Sequence, residues 1–240
     1  MRWLAVANSQ NSIKTLPMPA LPSASPLLTA VTTVHVAAAA KIQSTRRTNA
    51  DMSSETQARI LRATVASLAE LGYAGTTMSG IAERIEVSRA ALIYHFNSKN
   101  ALMVAVINAI YDEMAAMFKS AAHPALTPSE RMLAVLDASF YFTTTTSQMA
   151  QVELLLAARR DASFRTEVAP TIEQRDIVFQ QAWHQLTFEL GGSSARLDLV
   201  RDFAVSVFRG ITVTRSISSD LASFERQHVL LRKLLFEALQ

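Results

Sequence analysis

An all-α fold is what this sequence predicts, and three observations predict it. The 240 residues include only six Gly and seven Pro, and four of the Pro fall before residue 27, so few helix breakers interrupt the rest. Beyond residue 54, apolar residues recur three and four apart through segment after segment, the spacing of a buried helical stripe. β-rich runs joined by hairpin dipeptides are not seen. Half of the residues are hydrophobic, enough for a substantial core and for one or two domains.

Residues 1–50 differ in kind from the rest of the chain. They are rich in Pro, Ser, Thr and Ala, lack Asp, Glu and Gly, and hold Arg2, Lys14, Lys41, Arg46 and Arg47. These five cations give the segment +5, which leaves −2 of the total +3 for the remainder. The excess of positive charge therefore sits in the tail, and bulk basicity is no argument for the body of the chain. Leu27 to Ala40 is apolar but too short for a membrane span, and it lies too far from Arg2 to make a signal peptide. The expectation for residues 1–51 is a disordered extension or a mis-assigned start, with Met52 as the natural one and no stable membrane insertion. A sharper alternative gives Arg46 and Arg47 a minor-groove role, by analogy with basic arms. The absence of Cys excludes disulfides and thiol chemistry and fits a cytoplasmic protein.

The first helix is expected over Ser54 to Leu71, with Ile60, Leu61, Thr64, Val65, Leu68 and Leu71 on one stripe and Gly72 as its stop. Two short helices joined by a tight turn come next, between Thr76 and Phe96. Thr77 caps the first, which buries Met78, Ile81, Ala82 and Ile85. Glu86 and Val87 make the turn. Ser88 caps the second, whose Leu92 and Phe96 lie four apart on the inner face. The other face carries Arg89, Ala90, Ala91, Ile93, Tyr94 and His95. Arg can pair with guanine O6 and N7, small residues allow close approach to thymine methyls, and Tyr94 and His95 reach phosphates. Ser98 caps the next helix, so its free N–H groups and Lys99 gather where a phosphate is favoured. The candidate DNA-contact set is thus Thr77, Ser88, Arg89, Ala90, Ala91, Ile93, Tyr94, His95 and Lys99, within a three-helix module over residues 52–98.

Gly72 to Leu102 resembles the DNA-binding region of the TetR/AcrR family of transcriptional regulators. The resemblance rests on Gly72, Tyr73, Thr76, Thr77, Ile81, Ala82, Val87, Ser88, Leu92, His95, Phe96, Ser98, Lys99 and Leu102 at the family's spacing. Two positions depart from it. Glu86 stands where the family often has a turn Gly, at a cost on the order of 1 kcal/mol if the turn needs a left-handed residue. Ile93 stands where a phosphate-contacting Tyr is common, which leaves Tyr94 as the aromatic contact.

Beyond the module, residues 99–240 are expected to form a larger helical domain. One helix runs from Lys99 through Val106, Ile110, Met114 and Phe118 to about Ala121, and the segment from His123-Pro124 to Thr127-Pro128 ends it. A helix from Ser129 meets a bend at Thr143 to Thr146, because β-branched hydroxyls prefer local hydrogen bonds. Helix resumes over Gln148 to Arg160. Pro170 is placed in the first turn of a helix running to Leu190, which Gly191 and Gly192 close. The last two helices span Leu197 to about Ile217 and Phe224 to Leu239, and they carry more apolar surface than one pair needs.

The resemblance implies that these last helices pair with a second copy in a homodimer, and Val200, Ala204, Val207, Gly210, Ile211, Leu230 and Leu234 are the expected interface. It also implies a small-molecule pocket in the same domain. Phe140, Thr143, Thr144, Met149, Phe179, Trp183 and His184 are the candidate lining, since aromatic and Met walls with a few hydroxyls suit an effector cavity. The scarcity of charge around them points to an apolar or weakly polar effector. The implied function is a ligand-responsive repressor binding double-stranded DNA at a palindrome, with no cofactor.

An enzyme is the rival class. No two of the five His lie within four residues of each other, so there is no H-x-x-x-H metal pair, and Gly-rich phosphate loops and G-x-S-x-G are absent. A His, carboxylate and Ser brought together only by folding stays open, as does a helical scaffold that coats DNA without sequence preference.

Overall fold

The computed structural model describes residues 49–190, 194–218 and 220–239. The expectations for the tail through residue 48, the Arg46–Arg47 arm among them, and for the stop at Gly191 and Gly192 lie outside the described residues. Among the described residues the chain forms nine helices and no strand: α1 Asn49–Gly75, α2 Met78–Arg84, α3 Arg89–His95, α4 Lys99–Ala121, α5 Pro128–Phe142, α6 Thr146–Arg160, α7 Ala162–Thr187, α8 Ser194–Arg215 and α9 Leu221–Leu239.

Local chemistry sets most of these boundaries. The hydroxyls of Thr77, Ser88 and Ser98 accept from the backbone N–H groups of Gly80, Ala91 and Ala101, each at 3.0 Å, so three successive helices start on a capping side chain. Gly72 breaks the helical path inside α1 with φ 67° and ψ 177°, and a Cβ there would lie 3.0 Å from the Glu153 carboxylate. One short turn leads on to Gly75, and the Thr76 hydroxyl ties that turn back by donating to the Gly72 carbonyl at 2.8 Å. Leu71, expected on the inner stripe, is instead exposed. It lies only three residues beyond Leu68, just where the chain leaves the helical path.

Pro128 does more than end the preceding segment. It occupies the first turn of α5, behind Thr127, whose hydroxyl and backbone N–H form a reciprocal capping box with Glu130. The threonine run makes the expected bend: the hydroxyls of Thr143, Thr144 and Thr145 donate to the carbonyls of Phe140, Tyr141 and Phe142 at 2.7–2.8 Å, and α6 starts at once. Pro170 corrects the expected start of the next helix. It lies inside α7, which begins eight residues earlier because the Asp161 carboxylate caps Phe164 N–H at 3.0 Å. Burial of Phe164 and Val168 in that first stretch makes the extra turns worth more than the hydrogen bond that Pro170 forgoes.

Two apolar cores result. The first joins Ile60, Leu68, Ile81, Leu92 and Phe96 of the N-terminal helices to Leu102, Val106 and Ile110 of α4, Leu154 of α6, and Phe164 and Val168 of α7. The second gathers Met132 and Leu136 of α5, Trp183 of α7, Leu197, Val200 and Ala204 of α8, and Leu231 and Leu235 of α9. Lys99–Ala121 is long and apolar enough to cross a membrane by composition, but Leu102, Met103, Val106, Ile107, Ile110 and Tyr111 are buried within the first core.

Candidate nucleic-acid interface and effector cavity

Helix α3 divides its residues sharply. Leu92 is fully buried and Phe96, at its C-cap, nearly so, while Arg89, Ala90, Ile93 and Tyr94 face outward, Tyr94 to 86 %. Ala91 and His95 are half-buried, and the His95 ring meets Tyr94 edge-on at 5.4 Å. The turn before α3 is held by Val87 N–H donating to the Ala82 carbonyl at 3.0 Å, and Glu86 adopts φ 57° there. It is the only non-Gly residue with positive φ among the described residues, in the slot for which the turn prefers Gly.

Nearby cations brace this module. Arg59 donates to the Ile85 carbonyl at 2.8 Å, tying α1 to the end of α2. Arg84 grips both carboxylate oxygens of Glu70 at 2.6 and 2.8 Å. Thr56 turns back to the Met52 carbonyl of its own helix. Lys99, expected at a phosphate, donates to the Tyr73 carbonyl at 2.7 Å with its ammonium 3.8 Å above the Tyr73 ring. Burial holds the Lys99 ammonium below its usual pKa. Its placement is that of a brace between α4 and the end of α1, shared with the Tyr73 hydroxyl on Asn100 and with Asn100 on Glu167. Arg89 is different: among the described residues its guanidinium has no carboxylate or carbonyl partner.

A cavity of about 570 Å³ lies among α4, α5, α6, α7 and α8. Of the expected lining, Phe179 and Trp183 are in its wall and the other five are not. Phe140 stacks on His228 at 4.1 Å, Thr143 and Thr144 are tied to their own turn, and His184 pairs with Asp198 at 2.9 Å. Met149 is half-buried elsewhere. The residues that do line it include Tyr111, Met114 and Phe118 of α4, Phe142 of α5, Gln148 and Gln151 of α6, and Phe208 and Arg209 of α8. Phe142 and Gln148 each lie a step or two along the helix from an expected residue, and one step turns a side chain by about 100°. The wall is also more charged than expected, with Lys119, Asp176, Arg201, Asp202 and Arg209 on it. Arg201 pairs with Asp202 at 2.8 Å, and Asp176 accepts from the Tyr111 hydroxyl at 2.8 Å. Burial pushes the Tyr111 phenol well up, Asp176 adds to that, and Arg209 and Arg175 oppose it.

The expected interface set divides as well. Val200, Ala204 and Ile211 point into the chain's own core, a correction that comes from the phase of α8. The outward stripe of that helix is Leu199, Phe203, Gly210 and Val213, spaced at helical repeats, with Leu199 exposed to 70 % and Phe203 to 50 %, and Ile217 just past its end is exposed too. Among the described residues, no atom outside its own helix backbone and chain neighbours comes within 4 Å of where a Cβ on Gly210 would sit. Val229, Leu230 and Leu234 of α9 are exposed too, so two helices present apolar surface that the other described residues leave uncovered. Val207 is half-buried against the second core.

Residues 60–106 match the family model described as bacterial regulatory proteins, tetR family. The chain is 25 % identical over 181 residues to the HTH-type transcriptional regulator CymR of Pseudomonas putida, covering 75 % of this chain and 89 % of that one. Among solved structures, a putative TetR-family transcriptional regulator from Rhodococcus sp. superposes with TM-score 0.62 at 21 % identity, over 78 % of this chain and all of the other. The multidrug binding protein EbrR, crystallised with malachite green, superposes with TM-score 0.55 at 20 % identity, over 78 % and 99 %. The fold and the α1–α3 module are thus shared with regulators.

Proposed function

We propose that this chain, whose residues 60–106 match the tetR family of bacterial regulatory proteins, is a member of that family and a ligand-responsive repressor that binds a palindromic operator as a homodimer in the cytoplasm. One observation carries the reading. While Arg59, Arg84 and Lys99 are occupied in bracing the module, Arg89 projects from the first turn of α3 with no partner among the described residues, beside Ala90 and the exposed Tyr94. That face offers a bidentate donor, room for close approach and an aromatic hydroxyl for the backbone, which are the requirements for reading base edges in a major groove.

The uncovered apolar stripes of α8 and α9 supply the dimer, because a two-fold operator needs two recognition helices about one DNA turn apart. Helix α4 supplies the coupling. Its first residues, Lys99 and Asn100, hold the module through Tyr73, Asn100 also donating to Glu167 of α7, and its later residues Tyr111, Met114 and Phe118 form part of the cavity wall. An effector filling the cavity moves that wall, and it releases DNA only in so far as it binds the released arrangement more tightly.

Selection of bound duplexes from random DNA tests the proposal. A palindrome with half-sites one helical turn apart is the expected product. Recovery of no enriched sequence would leave a DNA-coating scaffold or a protein that does not bind DNA.

A further inference from the structure

The effector cavity carries polar groups that the fold itself does not use. Gln148 and Gln151, three residues apart on α6 and so on one face of it, are exposed to only 5 % and 8 %, and both line the cavity. Neither side-chain amide has a hydrogen-bond partner among the described residues. Their amide atoms stay open to the cavity, since neither is a closed-off unpaired group, so a ligand that fills the cavity must pair with them or leave them unpaired at a cost on the order of 1–3 kcal/mol. Arg209 of α8, half-buried in the same lining, likewise has no carboxylate partner among the described residues, whereas the carboxylates of that lining are engaged: Asp202 by Arg201 at 2.8 Å and Asp176 by the Tyr111 hydroxyl at 2.8 Å. Lys119, exposed on α4, adds to the lining a further cation with no partner among the described residues. Between these groups the walls are apolar, with Phe118, Phe142, Phe179 and Trp183. Cavities of this size take molecules with a large apolar body.

We propose that the effector is an amphipathic organic acid, whose carboxylate is taken by Arg209 and whose remaining polar atoms meet the Gln148 and Gln151 amides while its body packs on the aromatic wall. A neutral hydrocarbon would leave one cation and two amides dehydrated and unpaired. A cationic ligand would face Arg209 and Lys119, with Asp176 already hydrogen-bonded to Tyr111 and Asp202 already paired with Arg201. This identification rests on the repressor reading for its consequence at DNA but not for its test, which needs no operator.

The test is binding by calorimetry at pH 7, with Trp183 fluorescence as a second readout, using decanoate and 2-naphthoate against the alcohol and the primary amine of each skeleton. The wild-type chain should bind the carboxylates roughly tenfold or more tightly than the alcohols, with the amines weakest. Arg209→Gln should erase the preference and leave the alcohols unchanged, while Arg209→Lys keeps part of it. Gln148→Leu should weaken carboxylate binding several-fold. Because Arg209 is half-buried and unpaired, the variants should melt close to the wild type, and an unchanged melting temperature separates a binding defect from a folding defect. Alcohols or amines binding as well as acids, or a preference that survives Arg209→Gln, overturns the organic-acid assignment and leaves an effector cavity standing. Wild-type protein indifferent to all six probes overturns both.

Discussion

Glu86 offers the cleanest physical prediction. Its φ of 57° places an L side chain in the left-handed region, a strain worth roughly 1–2 kcal/mol. The side chain is exposed and makes no hydrogen bond among the described residues, and what the turn uses is the backbone N–H, which donates to the Glu83 carbonyl at 3.1 Å. Glu86→Gly removes the strain and keeps that bond. It also gives the unfolded chain more freedom, which offsets roughly 0.4–1 kcal/mol of the gain. The net expectation is a stabilisation of about 0.5–1 kcal/mol, or a melting temperature higher by roughly 1–4 °C for a chain of this size. Glu86→Ala is the control: it removes the same carboxylate but keeps the Cβ, and should melt within about 1 °C of the wild type. Thermal unfolding tracked by circular dichroism reads both. Equal shifts for Gly and Ala would show that charge, not backbone conformation, sets the cost. A lower melting temperature for Gly would refute the strain argument.

Three further outcomes are expected from the same structure. Lys99→Ala removes the interaction with the Tyr73 carbonyl and ring, so it should lower stability by about 1–2 kcal/mol as well as weaken DNA binding on all sequences; an unchanged melting temperature would return Lys99 to a purely phosphate-binding role. Phe203→Asp puts a charge on the outward stripe of α8 and should convert dimer to monomer in sedimentation equilibrium while leaving helix content unchanged; a dimer that persists would place the interface elsewhere. Glu70, Glu130 and Asp198 are held below their usual values of 4.5, 4.5 and 3.8 by hydrogen bonds from Arg84, from Thr127 and from Gln180. With folded values below unfolded ones, their stabilisation is present above the unfolded values and disappears as pH falls through the folded ones. Melting temperature from these groups should therefore be flat between pH 7 and about 5 and decline below about 4.5; a decline already complete at pH 5.5 would point to other groups.

What is legible in the sequence and what is hidden have the same cause. Caps and stripes are local, so Thr77, Ser88 and Ser98, the inner face of Leu92 and Phe96, and the bend at Thr143 can be read directly, and Glu86 can be flagged as a misfit to its turn. Pro170 misleads because a local rule favouring Pro in a first turn competes with the tertiary burial of Phe164 and Val168, which no local pattern displays. The cavity is only half legible: Phe179 and Trp183 line it, but Phe140 gives way to Phe142, and the Gln148 and Gln151 amides look like ordinary surface groups until α6 is seen packed on both sides. The outward stripe of α8 escapes by the same error of phase, since Val200 and Leu199 differ by a single step. Lys99 looks like a free cation because the partner that fixes it, Tyr73, is 26 residues away in sequence.

The central claim is that the outward face of α3 reads bases, and the decisive measurement is the ratio of affinities for the selected palindrome and for a scrambled duplex, at fixed salt, in the wild type and in Arg89→Ala. A good bidentate pair with a base accounts for about 1–3 kcal/mol of discrimination, so the ratio should fall roughly five- to 150-fold for each such pair removed, while affinity for scrambled DNA changes little. An Arg89→Ala protein that keeps the full ratio, or a wild type that shows no discrimination between the two duplexes, would contradict the account.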